Sequence, residues 1–241
     1  MGNPSKVLST VLSVFNFGEG VYQVTFAIPQ RYTRFLPGQF LHLTLDDFDP
    51  SSGYWPESRV FSIASAPRQE HVTVAYSVKG SYTARMEREL VTGRQVWLKL
   101  PYGDFVIDES KLDEGPLVLI AGGTGVSPYW PFLIAQPERQ GEVHLFYGIR
   151  KPEQLLFRNE LSSMSNKAWF QCHLMVEDGT VEGLAHGHGR LSVGHVVREV
   201  GPGLSRANIY LSGPPSMIGL FRDDLRSRGL PAEQIHVDSW E

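Results

Sequence analysis

The chain has 241 residues, 41% apolar and 20% charged, an ordinary soluble globular composition long enough for two modest domains. Its formal net charge of −4 lacks the basic balance of a nucleic-acid-binding protein, and no apolar run approaches the roughly 20 residues needed to cross a membrane. A single cysteine, Cys172, excludes an internal disulfide and an iron–sulfur cluster; with an N-terminus lacking the basic start and apolar core of a signal peptide, it fits a reducing cytoplasm.

The first hundred or so residues read as all-β. Tyr22, Val24, Phe26 and Ile28 alternate with other residues at period two, as do Val72, Val74, Tyr76 and Val78, and again Val96, Leu98 and Leu100. Pro37-Gly38-Gln39 turns the chain into Phe40–Leu45, and Asp46 to Glu57, rich in Asp, Ser, Gly and Pro, is a surface loop. Short strands separated by turns predict a small antiparallel β-barrel domain over residues 1–112, with a short helix over Thr83–Val91 that places Met86 and Leu90 four apart.

After the polar segment Asp108–Pro116 the pattern changes to strands alternating with helices, predicting an α/β parallel-sheet domain over 113–241. Leu117–Ala121 is a buried strand that breaks into Gly122, Gly123, Thr124 and Gly125; Pro128 follows, near the start of a helix. Such a turn brings free backbone N–H groups and a helix dipole to one point, which suits a pyrophosphate, although a tight turn that binds nothing has the same appearance. Further strands are Val143–Tyr147, Trp169–Val176, Asn208–Ser212 and Gln234–Ser239. A helix after Pro152 shows Phe157, Leu161 and Met164 on one face, and another runs from Pro215 to Arg228 and stops at Gly229. Three loops follow strands and therefore open on one edge of the sheet: Gly122–Pro128, Tyr147-Gly148-Ile-Arg150 and Ser212-Gly213-Pro214-Pro215. Their coincidence points to a dinucleotide site. His186-Gly-His188 reads as a flexible loop rather than a metal site, and His144 and His173 as packing residues in strands.

In their order these motifs resemble the ferredoxin–NADP reductase family of flavoprotein reductases over nearly the whole chain. Arg59-Val60-Phe61-Ser62 is similar to the family's flavin-binding Arg-x-Tyr-Ser, and Gly80-Ser81-Tyr82-Thr83, just after Val78-Lys79, to its Gly-x-x-Ser/Thr phosphate element. Gly122 to Pro128 is similar to the Gly-Gly-Thr-Gly-x-x-Pro nicotinamide-dinucleotide motif, Ser212-Gly-Pro-Pro-Ser-Met217 to Cys-Gly-Pro-x-x-Met, and Asp238-Ser-Trp240 to the acidic-x-aromatic ending. The resemblance implies bound FAD, with FMN the lesser option, and NAD(P)H as hydride donor. Arg59 then faces a phosphate, Phe61 covers the flavin ring, Ser62 reaches flavin N5, Gly80 and Thr83 approach a phosphate, and Ser212 and Trp240 lie at the nicotinamide. Two departures stand out. Phe61 replaces a tyrosine, keeping the ring and losing the hydroxyl, and Ser212 replaces the cysteine.

The implied activity is hydride transfer from NAD(P)H to FAD and electron delivery to a separate acceptor: a ferredoxin, a flavodoxin, an oxygenase component or a small molecule. No clustered basic face in the sequence marks an acidic partner. A free-flavin reductase and a non-catalytic electron-transfer or nucleotide-sensing subunit remain the alternatives. NADPH-using relatives place a Ser-Arg pair where this chain has Glu177-Asp178, whose charges disfavour a 2′-phosphate, so NADH is the expected donor; Arg150 and Lys151 pull the other way.

Overall fold

A computed structural model of the chain describes residues 4–135 and 140–239. It separates into two compact units, residues 1–107 with 127–135, and residues 108–126 with 136–241. The first unit is a six-stranded antiparallel sheet of β1 (Ser5–Gly18), β2 (Val21–Ala27), β3 (Phe40–Thr44), β4 (Arg59–Ser62), β5 (His71–Ser77) and β6 (Gln95–Tyr102), in the order β4-β3-β6-β1-β2-β5. The two edges meet where Ile63 bridges Val74 and Ala64 N–H donates to the Thr73 carbonyl at 2.8 Å, so the sheet closes on itself as a barrel. Alternating inward residues, Val24 and Phe26, Leu41 and Leu43, Leu98 and Leu100, fill its interior. Helix α1 (Ser81–Glu89) adds Tyr82 and Met86 to that core, with Leu90 just beyond it. It begins two residues before the expected Thr83. Strand β1 was not among the expected strands. The residues from 127 include the short helix α2 (Trp130–Ala135).

The second unit is a six-stranded parallel sheet: β7 (Leu117–Gly122), β8 (Val143–Ile149), β9 (Phe170–Val176), β10 (His186–His188), β11 (Asn208–Ser212) and β12 (Ile235–Val237), in the order β10-β9-β8-β7-β11-β12. Every residue of β11, and all of β7 up to Ala121, is buried, the signature of a sheet covered on both faces. On one face α4 (Val193–Val200) and α5 (Pro215–Ser227) bring Val193, Val196, Ile218, Phe221 and Leu225 against Val118, Ile120, Ile209 and Leu211. The expected helix after Pro152 is a single 3₁₀ turn, Pro152–Gln154, and α3 (Arg158–Met164) starts only after Phe157, whose left-handed backbone (φ 59°) interrupts the helix. The last strand is confined to Ile235–Val237, and His186–His188 is an edge strand paired with Leu174–Val176 rather than a flexible loop.

Candidate functional site

In the barrel unit, β4 sets Arg59 opposite Leu43 and Phe61 opposite Leu41 on β3. The Tyr82 hydroxyl donates to the Leu43 carbonyl at 2.8 Å and accepts from Leu45 N–H at 3.2 Å, which fixes the start of α1 beside the same strand. Burial pushes this phenol up to about 12, so it stays protonated as a structural donor. The Arg59 guanidinium lies over the Tyr82 ring, 4.7 Å from its centre. Two motifs twenty residues apart in sequence thereby meet. The first helical bond of α1 runs from Ala84 N–H to the Gly80 carbonyl, so the N–H groups of Ser81, Tyr82 and Thr83 lie ahead of it. A Cβ added to Gly80 would touch nothing within 4 Å. A permanent cation, first-turn N–H groups and open space in front of Gly80 make a donor set that fits a phosphate group.

The details depart from expectation at Thr83. Its hydroxyl oxygen accepts from Lys79 N–H at 2.9 Å and Gly80 N–H at 3.1 Å, so it shapes the turn instead of facing outward. Glu57 already occupies one edge of the Arg59 fork at 2.8 Å. Phe61 is half-buried, its ring edge-on to Tyr76 with centres 6.0 Å apart. Val60 and Ser62 are half-buried too, and the Ser62 hydroxyl has no hydrogen-bond partner among the described residues. Val78 N–H is committed to the Gly20 carbonyl at 2.8 Å.

In the sheet unit, β8 lies on one side of β7 and β11 on the other, so the chain reverses its direction of winding between β7 and β11. Ligands of parallel sheets bind outside the carboxyl ends of the strands at such a point. The two flanking turns are interlocked. A Cβ on Gly125 would lie 2.5 Å from the Ser212 carbonyl oxygen, and one on Gly122 would lie 2.8 Å from Met217 Sδ and from Pro214 Cδ. Gly122 and Gly125 therefore serve loop-on-loop packing. Gly123 differs: its φ is +56° and nothing lies within 4 Å of a Cβ there, so its backbone is presented to open space. Thr124 beside it is half-buried. The turn continues as a 3₁₀ helix over Gly123–Tyr129 with Pro128 buried inside it, and the expected helix follows at once as α2 from Trp130.

Ser212 is buried and its hydroxyl donates to the Asp238 carboxylate at 2.8 Å. Asp238 N–H in turn donates to the Leu211 carbonyl at 2.9 Å. This pairing was not foreseen, although the acidic residue stood in the quoted ending. Gly213 bends the chain away from Ser212, and Pro214 and Pro215 are exposed at the start of α5. Trp240 lies outside the described residues. At the end of β8 the Tyr147 side chain is fully buried; its hydroxyl accepts from Leu156 N–H at 3.3 Å, so it braces the following turn rather than offering a ligand contact. Gly148 lies under Leu191, and Arg150 is exposed, its N–H donating to Gln154. Asp178 N–H bonds the Arg150 carbonyl at 2.8 Å, tying the ends of β8 and β9 together. Both Glu177 and Asp178 are exposed, but Glu177 is paired with Arg190 at 3.1 Å, a partner thirteen positions further along the sequence.

The strand histidines His144 and His173 are structural. His144 and His173 stack at 5.3 Å with ring nitrogens 3.0 Å apart, and burial pushes both down, His173 to about 4, so the pair is neutral at neutral pH. Burial likewise pushes the Cys172 thiol up to about 12, which makes it unreactive. No group of three or more metal-ligating side chains occurs among the described residues. Nor is any helix among them long and apolar enough to cross a membrane.

Residues 119–223 match the family of oxidoreductase NAD-binding domains. The reductase component of propane 2-monooxygenase from Rhodococcus jostii (strain RHA1) is 27% identical over 214 residues, covering 86% of this chain and 55% of that protein. Reductase component 1 of terephthalate 1,2-dioxygenase from Comamonas sp is 27% identical over 240 residues, covering 92% of this chain and 67% of that one. The chain thus spans little more than half the length of the first of these relatives. Among solved structures, a ferredoxin NADP+ reductase from Neisseria gonorrhoeae with bound FAD and NADP superposes with a TM-score of 0.80 at 19% identity, covering 97% of this chain and 98% of that one. The ferredoxin reductase in carbazole 1,9a-dioxygenase gives 0.79 at 22% identity, covering 99% and 70%. Residues 119–223 are thus similar to oxidoreductase NAD-binding domains, within a chain that shares the two-domain fold of the Neisseria gonorrhoeae ferredoxin NADP+ reductase.

Proposed function

We propose that the chain is an NAD(P)H-dependent flavoprotein reductase that passes electrons onward to a separate acceptor. In this reading residues 1–112 form the flavin-binding domain and 113–241 the nicotinamide-binding domain. The observation that carries it is the meeting of Arg59-Val-Phe-Ser62 with Gly80–Thr83, where the Arg59 guanidinium lies over the Tyr82 ring of the first turn of α1 and Gly80 faces open space. FAD, when bound, supplies a two-electron hydride acceptor that can release its electrons to another molecule. Arg59 and the N–H groups of Ser81, Tyr82 and Thr83 hold its phosphates by charge-assisted bonds. Phe61 offers a ring for stacking, and the unpartnered Ser62 hydroxyl is available to a flavin ring nitrogen. Gly123 presents backbone to the dinucleotide phosphates, and the Asp238 carboxylate holds the Ser212 hydroxyl in one orientation at the nicotinamide end. The acceptor we infer is a ferredoxin, flavodoxin or oxygenase component, or a small molecule, because the chain is similar to reductase components named for oxygenase systems. A cytoplasmic location accords with the single cysteine. Absorption spectra before and after anaerobic NADH test the activity. Bands of bound oxidised flavin that bleach on addition are the expected result; a colourless protein that takes up no added FAD overturns the reading.

The preferred donor is NADH. Asp178 stands exposed with no cationic partner among the described residues, and a second carboxylate, Glu177, is only partly offset by the largely exposed Arg190. A higher kcat/KM for NADH than for NADPH is expected. The double substitution Glu177→Ser/Asp178→Arg should shift the ratio towards NADPH by about tenfold or more, roughly 1.4 kcal/mol. A wild type that prefers NADPH would show that Arg150 and Arg190 dominate the 2′ position.

A further inference from the structure

The sequence shows no clustered basic face, yet the fold makes one. Gln30, Arg31, Arg34 and Arg68 line a cleft of about 480 Å³ on the barrel unit. They come from two loops, one after β2 and one before β5, joined at their base by Thr33. Thr33 is 0% exposed; its hydroxyl lies 2.7 Å from the Gln69 carbonyl and 2.9 Å from that of Gln30, sharing one proton between them. Arg68 N–H donates to the Thr33 carbonyl at 2.8 Å, and Gln30 Nε2 donates to the Arg68 carbonyl at 2.5 Å. The two loops thus form one rigid rim. The Arg31 guanidinium is itself braced, 4.7 Å above the centre of the Tyr32 ring and bonded to its hydroxyl at 3.0 Å.

Two features of this rim run against stability. First, no carboxylate among the described residues lies within ion-pair distance of Arg31, Arg34 or Arg68, whereas Arg59, Arg85 and Arg94 of the same unit each have one at 2.7–2.8 Å. Three like charges drawn to one cleft repel one another when nothing neutralises them. Second, Arg68 holds a left-handed backbone (φ 63°), a conformation that glycine adopts at no steric penalty. A long charged side chain kept at a glycine-like position points to a role for its charge.

The geometry points to a binding site for a small, multiply charged phosphate compound, separate from the flavin and dinucleotide elements. Guanidinium groups pair with phosphate oxygens through planar, charge-assisted forks, and three of them match the charge of a pyrophosphate-like group. The concavity has the dimensions of a small-molecule site rather than of a flat protein-docking face. The inference is independent of the proposed reductase activity.

Calorimetric titration of the whole protein, first saturated with FAD and NAD+, with inorganic pyrophosphate at low ionic strength tests it. Saturable binding is expected, weakened at least tenfold in Arg34→Gln and in Arg68→Gly and unchanged in Arg88→Gln, an exposed arginine elsewhere on the unit. Arg68→Gly removes the charge while relieving the backbone, so its melting temperature should equal or exceed that of wild type; lost affinity in a protein of undiminished stability cannot be ascribed to unfolding. Citrate, tried in parallel, distinguishes phosphate from carboxylate chemistry. Absence of saturable pyrophosphate binding, binding that both variants leave unchanged, or a preference for citrate would each overturn the proposal.

Discussion

Arg59→Ala is expected to lower flavin affinity about a hundredfold, equivalent to roughly 2.7 kcal/mol. The loss is large because a charge-assisted fork to a phosphate disappears while the phosphate remains beside the hydrophobic ring of Tyr82. The apoprotein should barely notice. Arg59 is 48% exposed and Glu57 60% exposed along their side chains, so their ion pair contributes at most about 1 kcal/mol to folding. Arg59→Lys keeps the charge without the planar fork and should fall between the two. Glu57→Gln frees the guanidinium edge that the carboxylate now holds and should tighten flavin severalfold. Fluorescence titration of the apoproteins with FAD reads all three. Unchanged affinity in Arg59→Ala would remove the flavin assignment from this strand.

Gly125→Ala is expected to have the largest effect on stability, about 3 kcal/mol. The added methyl would stand 2.5 Å from the Ser212 oxygen, 2.6 Å from its carbon and 2.7 Å from Gly213 Cα. All three are backbone atoms at the end of a central strand and cannot swing aside as a side-chain tip would. The two turns flanking the β7–β11 reversal must part, so NADH binding should weaken together with stability. Gly219→Ala is the matched comparison. Gly219 lies inside α5 with nothing within 4 Å of a Cβ, and alanine there should stabilise by up to about 1 kcal/mol. Urea denaturation of both variants decides the matter: equal midpoints would mean that the interlock of the turns is not what requires a glycine at 125.

The parallel-sheet strands were legible because burial on both faces leaves continuous apolar runs such as Leu117–Ala121 and Asn208–Ser212. Strand β1 was not. Its register slips between Val11 and Ser13 and again between Asn16 and Gly18, so the inward alternation of Val7, Ser9 and Val11 stops at the first slip, its middle member is a serine, and Leu8, Leu12 and Phe15 face outward. The expected helix near Pro128 opens with a 3₁₀ stretch over Gly123–Tyr129 before α2, because motif spacing carries no information on helix pitch. Glycine motifs likewise announce that side chains are excluded without saying by what: open space at Gly123, a neighbouring loop at Gly122 and Gly125. The two stretches proposed to hold the flavin were readable only as separate strings, and Tyr82, seen as one motif letter, is the platform that joins them. Arg190 beside Glu177, Asp238 beside Ser212 and the rim of Arg31, Arg34 and Arg68 depend on tertiary approach, to which local sequence periodicity is blind.

The pairing of β1 has a consequence for how the protein is made. Its hairpin partner β2 follows at once, but its other neighbour is β6, with Ser5 opposite Leu100 and Thr10 opposite Gln95. On a ribosome the barrel cannot close until that distant strand has emerged. Throughout that interval the Ser5–Thr10 stretch of β1 presents an unpaired edge to whatever nascent or finished chains surround it. Translation of the first unit is therefore the period of greatest exposure to misassociation, and it ends when β6 takes its place between β1 and β3.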